Sequence, residues 1–100
     1  MAKKSDTAAH SVEYSLSESV DITYINKFYE DLKALLGNSK SIVVDTGKLK
    51  RVDTSGLQLL CCWFLDARKK GIKVTWKNTQ GTFANSAKLL GLAEIMEINT

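Results

Sequence analysis

The sequence predicts a single α/β domain built on a largely parallel central sheet flanked by helices. Three observations carry that reading. Stretches with apolar residues at every second position alternate with stretches where they recur every third or fourth. The resulting order is strand, helix, strand, helix, strand, helix, which is how parallel strands joined by helical crossovers read, with right-handed connections. At 100 residues and 44% apolar, the chain can bury one modest core in two or three layers.

Residues 1–9 are small and polar without periodicity and read as a flexible tail, which leaves 10–100 as the domain. Val12, Tyr14 and Leu16 alternate with Glu13 and Ser15, the pattern of a half-buried strand. Ser17-Glu18-Ser19 ends it. Asp21 is placed to cap a helix whose apolar stripe is Ile22, Ile25, Phe28, Tyr29, Leu32 and Leu35, with Gly37-Asn38 as its stop. Ser41-Ile42-Val43-Val44-Asp45 is a β-branched run expected to be a strand covered on both faces. Thr46 to Val52 reads as a basic connection with Lys48, Lys50 and Arg51.

Asp53-Thr54-Ser55-Gly56 opens the strongest helix, which runs to about Lys70 and closes at Gly71. Leu57, Leu60, Cys61 and Phe64 form its core stripe, and Leu59, Cys62 and Trp63 form a second stripe beside it. Ile72, Val74 and Trp76 alternate with Lys73, Thr75 and Lys77, giving a strand with one wet face. Phe83, Ala87 and Leu90 mark a last helix ending at Gly91, and Ile95 to Ile98 is read as a possible short final strand.

Composition narrows the function. Lys and Arg number 14 against 11 Asp and Glu, and a net charge of +3 is too mild to imply nucleic acid. No apolar run approaches the ~20 residues of a membrane span, and Met1 to Thr7 leads into no signal-peptide stretch, so a cytoplasmic protein without membrane insertion is expected. His10 is the sole histidine, which makes a Ser-His-Asp triad or a zinc site hard to build. Cys61 and Cys62 are neighbours pointing about 100° apart on a helix, a poor disulfide or metal clamp, and read as small hydrophobes. No cofactor or metal is expected.

Two turns fall at strand ends, where open α/β sheets gather their sites: the one at Asp21 and the one at Asp53 and Thr54. The plain reading of Asp53-Thr54-Ser55 is a helix cap. The same chemistry also suits a phosphate on Thr54 or Ser55, because a helix N-terminus presents unbonded N–H groups and a partial positive charge. Such a phosphate adds close to two negative charges to the patch. Trp63, off the main stripe, reads either as a partner anchor or as packing under a neighbouring loop. Trp76, in phase with Ile72 and Val74, reads as core. Asp21, Asp45 and Asp53 are the acids that could cluster for a Mg²⁺-dependent receiver, but no lysine stands plainly after a late strand, and a non-enzymatic protein is expected.

Asp53-Thr54-Ser55-Gly56-Leu57 resembles the signature of STAS domains, the family of bacterial anti-sigma-factor antagonists and sulfate-transporter tails. The likeness extends through Ser41–Asp45, Arg51-Val52-Asp53, Ala67–Gly71, Ile72-Lys73-Val74 with Asn78, and Leu89–Leu92, and covers roughly Val12 to Ile98. In the antagonist branch the resemblance implies that Thr54 is the phosphoacceptor, with Ser55 the second choice. A partner anti-sigma serine/threonine kinase phosphorylates it, a phosphatase restores it, and the unphosphorylated form binds the kinase. Asp21 and Asp53 fall on family aspartates beside the acceptor. Gly56 falls on the motif glycine, where backbone or partner approaches closely. Leu59 and Trp63 would extend the docking surface. Two turns depart from the family: Ser17 to Asp21 lacks its glycine, and Thr79-Gln80-Gly81 replaces its Ser-Pro. Thr54 with Ser86–Leu89 also resembles the STAS subunit of a phospholipid-trafficking ABC transporter, which binds the ATPase subunit. An adaptor in a chemotaxis or biofilm signalling cluster is a third possibility.

Overall fold

The computed structural model describes residues 11–20, 25–38, 40–79 and 81–98. The N-terminal tail and the cap at Asp21 lie outside them. Strands β1 (Ser11–Ser15), β2 (Ser19–Val20), β3 (Ser41–Asp45), β4 (Arg51–Val52) and β5 (Lys73–Lys77) are interleaved with helices α1 (Ile25–Asn38), α2 (Thr54–Lys69) and α3 (Thr82–Leu89). The expected α/β order is therefore present.

β1, β3 and β5 form a parallel sheet in that order. Its register lines up Val12, Ile42 and Val74 in one row and Tyr14, Val44 and Trp76 in the next. Both rows point to one face, because strand side chains alternate sides. Ile42 and Val44 are fully buried there. Each crossover steps in the same direction across the sheet, and crossovers of one hand then put their helices on one face. The contacts agree: α2 packs on β5, α1 on α2, and Phe83 of α3 lies 5.1 Å from Trp76 between ring centroids. The opposite face carries Glu13, Thr75, Lys73 and Lys77, all exposed. The strand Ser41–Asp45 is thus not covered on both faces. Val43 points to the open side and is only half-buried.

Two further departures concern the connections. The stretches read as a break at Ser19 and a basic connection at Arg51 hold a short parallel pair, β2 with β4, matching Ser19 to Arg51 and Val20 to Val52. The end of the chain forms no strand at Ile95–Ile98. Met96 N–H donates to Leu92 and Ile98 N–H to Ala93, both at 2.9 Å, so local turns use the groups a strand would need. Glu97, at φ 57, also leaves the extended region. Met96 and Ile98 are nonetheless buried.

Aromatic rings tie the layers together. Trp76 lies between Trp63, Phe64 and Phe83, with centroids 6.4, 6.0 and 5.1 Å away. The Trp63 indole N–H donates to the Leu32 carbonyl of α1 at 2.9 Å, and that of Trp76 to the Met96 carbonyl at 2.7 Å. Each tryptophan thereby joins a helix or strand to a segment remote in sequence, with its polar edge satisfied. Leu90 differs from its expected place in the α3 stripe: it follows the helix and is 43% exposed.

Candidate functional site

The carboxyl ends of β1, β3 and β5 and the start of α2 share one end of the molecule. α2 begins where the motif predicts. Asp53 is its N-cap, with extended backbone at φ −93 and ψ 174, and its Oδ1 accepts the Gly56 N–H at 2.8 Å. That bond satisfies one of the first-turn donors that have no partner inside the helix. Thr54 and Ser55 follow as the first two helical residues, and both are exposed.

Gly56 is buried, and the reason is steric. A Cβ there would stand 2.7 Å from Val20 Cγ1 and 2.8 Å from the Val20 carbonyl oxygen. The close approach comes from the chain's own β2. Asp53 N–H donates to the same carbonyl at 3.1 Å, which locks the motif onto that strand. Lys50 and Arg51 N–H both donate to Glu18 O, at 2.7 and 3.0 Å, so the basic segment is held to the β1–β2 turn.

Beyond β4, the loop is pinned from the other side. Asp45 Oδ1 accepts Gly47 N–H at 2.9 Å and the Asn78 side-chain amide at 3.0 Å. These two bonds, the Asn78 one first, hold the Asp45 carboxyl below the usual carboxylate range. Thr46 is buried and donates its hydroxyl toward the Lys77 and Asn78 carbonyls, at 3.1 and 3.0 Å. Asn78 accepts the left-handed backbone, φ 57, that this junction requires.

The residues expected at the site divide. Thr54, Ser55 and Asp53 are exposed at the α2 start, Gly56 lies beneath them, and Asp21 falls outside the described residues. Leu59 is half-buried and packs against the core. Trp63 is no part of an exposed docking surface: it is 3% exposed. Cys61 is buried, and burial followed by the neighbouring Cys62 raises its thiol pKa; Cys62 is exposed, unlike the core residue the apolar run suggested. Asp45 and Asp53 each accept a backbone N–H in their own turns, and no cluster of three or more metal-ligating side chains occurs among the described residues, which leave out Asp21. Sequence reasoning passed over Thr82, which lines a cleft of about 430 Å³ with Lys50, Arg51, Val52 and Asp53. Its one signal was Gly81, the turn residue that brings α3 back toward β4.

The family described as "Mlab, STAS domain" matches residues 4–97. The chain belongs to the STAS domain family. The STAS domain also resembles solved structures at low identity. One is a sulfate transporter family protein from Wolinella succinogenes, with a TM-score of 0.71 and 13% identity, covering 87% of this chain and 71% of that one. Another is the SulP transporter STAS domain from Vibrio cholerae, with a TM-score of 0.64 and 17% identity, covering 90% and 69%. At such identities the likeness is one of fold. No curated protein sequence matches this STAS domain. The family assignment indicates a protein-interaction or regulatory role. Among the described residues, no helix is long and apolar enough to cross a membrane.

Proposed function

We propose that this STAS domain is a non-catalytic, phosphorylation-switched binding subunit that docks on a partner through the start of α2. In the unphosphorylated form it binds an anti-sigma-type serine/threonine kinase. Phosphate on Thr54 releases it, and a phosphatase resets it. The observation that carries this reading is the exposure of Thr54 directly after a cap that is already engaged, Asp53 to Gly56. Thr54 is exposed and the cap bond is made by Asp53, so phosphate on Thr54 would change surface charge while that bond is kept. The switch then acts by repulsion and desolvation at an interface. Asp53 and Asp21 would orient the hydroxyl or the kinase's Mg²⁺-ATP.

A second reading is a transporter subunit. The structural neighbours are STAS domains of transporters, and a subunit bound to a transporter ATPase through the same α2 face is compatible with them. Thr54 would then be a contact that is never phosphorylated. One experiment separates the two. Tagged wild type, Thr54→Ala and Thr54→Glu are used for affinity capture from the native host, with partners identified by mass spectrometry. The switch reading expects an ATP-binding kinase captured by wild type and lost with Thr54→Glu, and Thr54 phosphate on incubation with that kinase and ATP. Capture of a transporter ATPase with its permease overturns it in favour of the second. Equal partner binding by all three proteins removes Thr54 from either role.

A further inference from the structure

The cleft between β4 and the start of α3 lies against the α2 N-terminus, and its chemistry is unlike that of a small-molecule pocket. Its lining is Lys50, Arg51, Val52, Asp53 and Thr82, with Val52 the sole apolar member. Pockets for small organic ligands are mostly apolar and enclosing. Lys50 and Arg51 are exposed, and neither belongs to an ion pair among the described residues, whereas Lys77 pairs with Glu13 and Arg68 with Glu97. Lys48, exposed in the same loop, adds a third cation.

Asp45 attracts Lys48, but among the described residues no acid forms an ion pair with Lys50 or Arg51. Asp53 is committed through Oδ1 to the first turn of α2, where the helix dipole offsets it. Glu18 is exposed on the turn that holds the basic segment, and meets it through its backbone carbonyl. The backbone that carries the cations is held: Lys50 and Arg51 N–H are both bonded to that carbonyl, and Arg51 and Val52 pair with β2. A solvated, positive rim on a held backbone favours a broad anionic surface and steers its approach.

We propose that Lys50 and Arg51, with Lys48, receive an acidic segment of the partner protein, and that a phosphate on Thr54 competes with that segment for the same cations. The proposal rests on the reading of Thr54 as the phosphate switch. Thr54 is the next residue after Asp53, which lines the cleft. A phosphate there brings close to two negative charges and strong acceptors to a guanidinium and an ammonium that the acidic segment also needs. The phosphate then removes the partner's counter-charge as well as repelling the partner.

A synthetic deca-glutamate peptide serves as the probe, titrated into ¹⁵N-labelled protein and followed by amide shifts. Wild type is expected to respond at Lys48 to Asp53 and at Thr82, with a response that fades as salt is raised. Lys50→Glu with Arg51→Glu weakens binding by about tenfold or more. Thr54→Glu weakens it too, and adds little in the doubly reversed background. Lys69→Glu with Lys70→Glu, at the far end of α2, leaves it unchanged. Shifts spread evenly over Lys69, Lys70, Lys73 and Lys88 overturn the cleft assignment. Full binding by Thr54→Glu overturns the competition. Tripolyphosphate acting on these amides while deca-glutamate does not overturns the acidic-protein partner in favour of a phosphate ligand. The titration needs no host partner, so loss of the Thr54 effect in the capture experiment leaves the Lys50 and Arg51 result readable by itself.

Discussion

Gly56 is the residue on which the motif turns. Its missing side chain lets β2 lie against the first turn of α2, and Gly56→Ala should cost about 1–3 kcal/mol through forced displacement of Val20. Chemical unfolding followed by circular dichroism measures this. Asp53 acts one turn edge away. Asp53→Ala should lose about 1 kcal/mol in the same assay, and Asp53→Asn should restore most of it, because asparagine caps as well. Asp45 gives the acid response. Its folded carboxyl pKa is depressed, by Asn78 first and then by the Gly47 N–H. The folded state therefore binds that proton less readily than the unfolded one. The stabilisation is complete above the ordinary Asp range and is lost as pH falls through the depressed value. Asn78→Ala should narrow the difference in unfolding midpoint between neutral and acid solution; an unchanged difference would remove Asp45 as a source of it.

At the scale of elements, α2 shows why some of the site was legible and some was not. Its start is written in local chemistry, Asp-Thr-Ser-Gly, and the structure begins the helix at Thr54. Of the two stripes read from spacing, the first is buried and the second only at Trp63, because α2 faces both the sheet and α1. Leu57, Leu60, Cys61, Phe64 and Ala67 are buried, and Trp63 joins them through the Leu32 carbonyl. Periodicity finds an apolar side chain but not the neighbour that claims it. The same limit applies to β3, where Val43 looks like its neighbours yet points to the open face, and to Ile95–Ile98, where local hydrogen bonds pre-empt a strand. Trp63→Phe keeps most of the packing and leaves the Leu32 carbonyl to its helix bond. It should destabilise by about 1 kcal/mol while partner capture stays at wild-type level, since Trp63 is not on the docking surface.

Across the whole molecule, one layer of helices covers one face of the parallel sheet, and the last segment closes the far end of that layer. Trp76 holds this segment by its bond to Met96, with Arg68 and Glu97 paired beside it. Trp76→Phe should leave the α2 start intact and speed amide hydrogen exchange over residues 93–98, with little change at 53–57. Faster exchange at both places would mean that the two ends open together. The tryptophans carry a last consequence, an optical one. The chain has 2 of them, and they form one edge-to-face pair inside the core. Intrinsic emission therefore reports a single spot inside the core, where α2 meets β5. Unfolding will change the emission strongly. Trp76 also touches Phe83, the neighbour of the cleft-lining Thr82, so a change in emission on mixing would report docking that is felt through α3.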